Sequence, residues 1–442
     1  MSARTKSRTR RTLRIMTAEG MSSATMVGVG EAYVVAFVLA LGFGQVLAGL
    51  ATALPLLAGA TIQLISPTAV RRLQSYRRWV VLCSLVQAAS LIPLAVGGAV
   101  GALPLWVLLT TISVYWGAGM GTGPAWNAWV ERLVPRAVRL SYFARRSLLA
   151  QFAVLCGVIV GGGLLQLGRA GHARLIVFTI LFGTAFAGRV TSSLLHTALP
   201  EIRPDAVLRL SLRQWLRSTR QGAGGRLLLL MLAMQLSVGI ASPFFAPYML
   251  GTLQLSYAKY ALLTAAVFVA RMATMHLVSW HARRFGAWQL FRFGMVGIVP
   301  LAGLWIVSDA YGYLFALQFV GGVVWGCYEL ATFLLLFETI AAEERVSMLS
   351  WFNVANALCS VSGAALGATL LSRLRATKRA YMLLFGTSSA ARLLSLAIWP
   401  RPVSGPVELT PVATRILSVR PGTGGIERPI VPALVRESRR AD

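Results

Sequence analysis

Residues 181–189 read LFGTAFAGR and residues 384–392 read LFGTSSAAR, 203 positions later; each copy meets a proline eight to eleven residues beyond its arginine, at Pro200 and Pro400. Both copies lie in apolar runs. Upstream, Trp116-Gly117 answers Trp325-Gly326 at an offset of 209, and past those runs Glu131 and Arg139 answer Glu338 and Arg345. One match between apolar helices arises easily by chance. Four in the same order point to an internal duplication.

A membrane-spanning helix needs about 20 mainly apolar residues. Twelve runs meet that length: 18–42, 45–67, 79–98, 104–129, 148–167 and 175–197 in the first copy, then 227–248, 257–280, 289–307, 312–337, 347–370 and 380–399 in the second. The 42 basic residues occupy alternate gaps between them. Gaps on one side, with the two ends of the chain, hold 32 Lys and Arg; the other side holds seven, four of them in the gap before the last run, and Arg189, Arg271 and Arg392 lie within runs. Lys and Arg are retained on the cytoplasmic side of membrane proteins, so both termini are expected in the cytoplasm.

Composition agrees with an all-α polytopic membrane protein. The 442 residues are 56% hydrophobic and only 13% charged, against about 25% charged in a soluble domain. A net charge of +28 would suit a nucleic-acid binder, but such proteins gather basic groups on one soluble surface, whereas here they punctuate apolar helices. Nucleic acid is therefore not an expected partner; anionic lipid at the cytoplasmic face is. Cys83, Cys156, Cys327 and Cys359 all fall in apolar runs with no CxxC pair, which supports neither a disulfide framework nor a zinc site. The first apolar run has transmembrane length behind a basic stretch, so it reads as a retained span rather than a cleaved leader. The expected organisation is a basic arm at 1–17, a six-helix bundle at 18–197, a cytoplasmic loop at 198–226, a second bundle at 227–399, and a tail at 400–442 without apolar period.

Twelve spans, cytoplasmic termini, a long central connection and a 6+6 repeat resemble the major facilitator superfamily. The family's loop after span two carries a Gly-x-x-x-Asp-x-x-Gly-Arg type of motif. The matching stretch here keeps Gly59 and the basic residues Arg71 and Arg72 but lacks the Asp, as does the second copy from Trp280 to Gly286. Residues 124–146, PAWNAWVERLVPRAVRLSYFARR, look like the span 4–5 loop of bacterial members. The resemblance implies alternating access, in which two bundles rock about a site near the midplane.

A charge inside a span costs at least about 2.5–3.5 kcal/mol on insertion scales and marks a functional candidate. Glu31 lies about 13 residues into the first run, roughly 20 Å at 1.5 Å per residue, where a carboxylate can carry a proton. At an offset of 204 its counterpart is Gln235. Arg271 and Glu329 reach similar depths on spans eight and ten and are expected to pair. Near the ends of spans six and twelve, Arg189 is expected to pair with Glu131 or its neighbourhood and Arg392 with Glu338, as fastening points, and the repeat-matched Arg139 and Arg345 are grouped with them as structural or gating residues. Trp116, Trp325 and Tyr328 can stack on an organic solute, and Asn353 and Asn356 can supply hydrogen bonds; the alternative for each is ordinary helix packing. Trp126 and Trp129 read as part of an interfacial aromatic belt. Gly157-x-x-x-Gly161 and Gly363-x-x-x-Gly367 allow close helix approach.

No phosphate loop, HExxH or GxSxG is present, and the four histidines lack ligand spacing. No enzyme activity and no cofactor are therefore expected. The expected function is secondary active transport of a small solute, proton-coupled through Glu31, by a monomer in the cell membrane. The alternative is a non-transporting protein of the same fold that serves as an assembly factor, sensor or subunit of a larger complex.

Overall fold

The computed structural model describes residues 3–168, 172–203, 223–285, 287–339 and 345–399. The greater part of the central loop and the whole tail lie outside that set. The described residues form twelve helical rods. In the first half these are α1 (Ala3–Val29, continued by Glu31–Tyr33 and Val34–Ala40), α2 (Gln45–Leu73), α3 (Tyr76–Ala89 and Leu91–Val100), α4 (Leu105–Leu133), α5 (Arg136–Leu167) and α6 (His172–Thr197). The second half has α7 (Ala223–Ala241, continued through Thr252), α8 (Tyr257–Phe285), α9 (Ala287–Leu301 and Gly303–Ile306), α10 (Tyr311–Thr339), α11 (Arg345–Arg373) and α12 (Lys378–Ser395 and Leu396–Ile398).

Ten of these rods are long and apolar enough to cross a bilayer. The other two, α4 and α8, have 29 residues each and the same length as their neighbours. Helix α4 carries Thr110, Thr111, Tyr115 and Trp116 in its interior, and α8 carries Lys259 and Arg271.

Several rods outrun their apolar stretches. The basic segment 1–17 is helical from Ala3 and continuous with the first span rather than a separate arm. Helix α2 runs on to Leu73, with Gln74 in a left-handed cap. Gly59 therefore sits buried within α2, not in the loop that the family motif would require, and Arg71 and Arg72 occupy the last helical turn. The four basic residues before the last span fit a tight turn instead: α11 ends at Arg373, Arg375 and Ala376 take positive φ, and Thr377 caps α12 by accepting from the Ala380 amide.

Packing repeats between the halves. Helix α1 packs on α5 and α6, α2 on α4, and α3 on α4 and α6; α7 packs on α11 and α12, α8 on α10, and α9 on α10 and α12. Glycines explain the closest crossings. A Cβ on Gly28 would lie 2.4 Å from the Val154 carbonyl, with Gly157 against Gly28; one on Gly363 would lie 2.2 Å from the Leu236 carbonyl and close to Gly239. Gly161 takes the Tyr33 ring as Gly367 takes Phe244. Both GxxxG pairs thus seat the first helix of their bundle. Gly363→Ala and Gly28→Ala are each expected to cost about 1–3 kcal/mol, because backbone cannot yield to the methyl. Gly183→Ala, with open space at its Cβ, should stay within about 0.5 kcal/mol. Unfolding of the purified variants in detergent checks both.

These contacts also fix the register. Gly28 and Gly239 are equivalent at an offset of 211, so the short 3-10 turn Glu31–Tyr33 matches the turn Ser242–Phe244. The counterpart of Glu31 is therefore Ser242, not Gln235. The sequence offset of 204 fails because the offset changes from helix to helix: 211 between Gly28 and Gly239 but 206 between Gly157 and Gly363. Pro243 removes an amide donor and breaks α7 there; in α1 the break follows Gly30.

The two bundles are joined by α2 on α11 and α5 on α8, and they meet at the face opposite the termini. Tyr33 stacks edge-on with Tyr260 at 6.5 Å, and Phe178 with Tyr257 at 6.2 Å. Gln45 Oε1 accepts from the Thr252 hydroxyl at 3.0 Å and from the Tyr381 hydroxyl at 2.7 Å, tying α2 to α7 and α12.

Candidate functional site

Two buried polar centres lie in the membrane interior, one in each bundle. In the first, the helix break places Glu31 against α4, where the Tyr115 hydroxyl donates to Glu31 Oε2 at 2.7 Å. Tyr115 meets Trp116 edge-on at 6.0 Å. Glu31 is 9% exposed and Trp116 7%.

The second centre joins α8 to α10. Arg271 Nη2 lies 2.7 Å from Glu329 Oε1, so the two charges meet as their depths imply. The Arg271 guanidinium carbon stands 5.9 Å from the centroid of the Trp325 ring, and Trp325 meets Tyr328 edge-on at 5.7 Å. Arg271 and Glu329 are each 8% exposed, and Trp325 is half-buried. Arg271 Nε has no hydrogen-bond partner among the described residues. Tyr260, which touches Tyr33, precedes Arg271 by eleven residues on α8. At helical rise, the pair lies roughly 13 Å closer to the basic face than Glu31.

Gln235, Asn353 and Asn356 are half-buried on α7 and α11. The described structure brings none of the three into a hydrogen bond with either centre. Of the fastening residues, Arg189 donates to Ser23 Oγ at 3.1 Å and Ser192 Oγ at 3.2 Å, and Arg392 donates to the Ile298 carbonyl at 3.0 Å. The side chains of Glu131, Glu338, Arg139 and Arg345 lie outside the described residues, and so do the pairs predicted for them.

A network missed in the sequence closes the basic end of the first bundle. Glu19 on α1, 1% exposed, accepts from Arg146 Nη2 of α5 at 2.7 Å and from Ser192 Oγ of α6 at 3.1 Å, with His196 Nε2 at 3.4 Å. Arg146 also donates from Nε to the Met16 carbonyl at 3.0 Å and lies 4.5 Å over the Trp126 ring. Trp126 and Trp129 are buried there, at 1% and 0% exposure, and Trp129 Nε1 donates to the Pro200 carbonyl. They form the core of this cap rather than an interfacial belt. The signal available in the sequence was an acid on the helical stretch before Glu31, twelve residues upstream and among small residues.

No set of three or more His, Cys, Asp or Glu side chains able to hold a metal ion occurs among the described residues.

Two features then coincide: paired six-helix bundles with the same helix order, and ionisable groups buried inside them. This architecture is the major facilitator fold of multi-pass membrane proteins. Among solved structures, the chain is similar to a bacterial homologue of the iron transporter ferroportin in an inward-facing state, at 13% identity and TM-score 0.68 over 88% of this chain and 97% of that one. It is also similar to a mutant form of the nucleoside transporter NupG, at 12% identity and TM-score 0.66 over 88% and 100%. A D-xylose–proton symporter matches at 16% identity and TM-score 0.63 over 88% and 97%. No family model and no curated protein matches the sequence.

Proposed function

We propose that this protein is a secondary transporter that moves a small solute by alternating access, with Glu31 as its proton-coupling group. The observation that carries the reading is the pair of polar centres buried inside the bundles, since intramembrane charges at such cost mark solute or ion pathways. The break in α1 beside Glu31 is the kind of discontinuity at which transporters of this architecture build their sites. Solved structures of the same fold are described as handling nucleosides, xylose with protons, and metal, so the fold supports transport without choosing a cargo.

The excess of Lys and Arg on the side of the termini supports a cell-membrane protein with both ends in the cytoplasm. In that orientation the Tyr33–Tyr260 and Gln45 contacts close the external face. These contacts support reading the conformation as the one that releases or loads solute from inside.

Proteoliposomes with an imposed pH gradient test the reading. The wild type is expected to accumulate its solute against a gradient, and Glu31→Gln to accumulate it less steeply while retaining downhill exchange. Accumulation unchanged in Glu31→Gln removes Glu31 from coupling. Absence of flux for every solute tried would favour a non-transporting role.

A further inference from the structure

The repeat supplies an internal control for the Arg271–Glu329 pair. Gly326 packs on Thr274 and the Arg271 carbonyl, as Gly117 packs on Ile62. With Thr274 matched to Ile62, the counterpart of Arg271 is Gly59; with Gly326 matched to Gly117, the counterpart of Glu329 is Met120. Gly59 and Met120 are indeed in contact in the first bundle, where a Cβ on Gly59 would lie 2.4 Å from Met120 Sδ. The same helix crossing is thus built once with a glycine and a methionine and once with an ion pair. The architecture does not require the charges.

The two partners differ in what they can give up. A guanidinium stays protonated at any physiological pH, whereas a carboxylate can be neutralised. Opening the pair therefore leaves Arg271 charged inside the membrane, and Arg271 is the group that must find a new partner. Glu329 faces Arg271 on α8 and neighbours Tyr328 on its own helix; no other charged side chain is placed against it among the described residues. Arg271 already has its Nε unoccupied and the half-buried Trp325 ring at its flank. A guanidinium offers a planar fork for a carboxylate, and the indole offers a flat apolar face.

We infer that Arg271 is the substrate grip and that the cargo is a small organic anion, a carboxylate on an aromatic or apolar body. It replaces Glu329 on Arg271 as Glu329 takes up a proton. Charge balances: one anion enters, one proton is bound, and the site stays neutral. This deepens the transport reading and rests on it, the proton on Glu329 being additional to the one carried by Glu31.

Thermal unfolding in detergent with benzoate and indole-3-acetate, against benzamide, indole-3-acetamide and tryptamine, tests the inference. The acids should raise the Tm of the wild type in a concentration-dependent way, more strongly at about pH 5.5 than at about pH 7.5, where Glu329 holds its charge more firmly. Glu329→Gln should bind them at the higher pH at least about tenfold more tightly than the wild type, equivalent to about 1.4 kcal/mol, and with no pH dependence in that range. Arg271→Gln should not respond. Equal stabilisation by tryptamine or the amides, no tightening in Glu329→Gln, or no acid-dependent shift in either protein overturns the inference. In proteoliposomes, flux of a neutral or cationic solute that Arg271→Gln leaves intact would remove the anion grip but keep the transport reading. Acid binding without flux of any bound acid would keep the grip and remove transport.

Discussion

Removing either member of the Arg271–Glu329 pair alone should destabilise the second bundle by about 3–5 kcal/mol, because the remaining charge is stranded where water is scarce. Arg271→Gly leaves Glu329 without its counter-charge, and Glu329→Met leaves Arg271 with its ring contact only. The double variant Arg271→Gly/Glu329→Met rebuilds the contact that Gly59 and Met120 make in the first bundle, so it should recover most of that loss. A double-mutant cycle measured by unfolding in detergent gives the coupling directly. Recovered stability without recovered flux assigns the charges to function. If the double variant is as unstable as the sum of the singles, the two crossings are not interchangeable and the repeat equivalence is wrong at this point. If it is stable and transports normally, the ion pair is mere packing and the anion grip falls with it.

The fold was legible because it is written in features that survive divergence: apolar length, alternating basic gaps, and a repeat strong enough to see in spans six and twelve. Residue-level equivalence was less legible where segments slip against one another. An offset of 204 matches Glu31 to Gln235, but helix crossings are set by glycine contacts, and those move the register of α7 by seven residues, to Ser242. Gly59 shows the same limit from another side. A glycine upstream of a basic cluster reads as a loop motif, yet here a methionine on the facing helix needs its missing Cβ. The Arg271–Glu329 pair could be foreseen because both residues stand alone in apolar runs at comparable depth. Tyr115, Glu19 and His196 could not, since a phenol beside a tryptophan, an acid behind a basic stretch and a histidine near a helix end each have many ordinary explanations. Only the packing of α1, α5 and α6 brings the last two together.

The second large effect is expected at Glu19. Its carboxylate is the common acceptor for Arg146 and Ser192, beside His196, at the base of the first bundle. Glu19→Leu should therefore cost about 3–5 kcal/mol by leaving Arg146 buried without its counter-charge. Gly20→Ala should weaken the same contact more mildly, since its methyl would lie 2.8 Å from the Arg146 guanidinium and that side chain can shift. The repeat again names the compensating change. At the offsets that the glycine contacts fix, Glu19 corresponds to Leu230 and Arg146 to Phe352, both buried and apolar. Glu19→Leu/Arg146→Phe should regain stability, the introduced phenyl ring taking over the guanidinium's stacking on Trp126. Here, unlike the midplane pair, transport should survive as well. Glu19 is 1% exposed, and Arg146 is held by a backbone carbonyl and an aromatic face besides the acid; such a network fastens α1 to α5 and leaves no group free to take a ligand. Comparing flux in the two apolar transplants at matched stability separates a fastening from a grip. Loss of flux in Glu19→Leu/Arg146→Phe at full stability would show that the basic end of the first bundle takes part in the transport cycle.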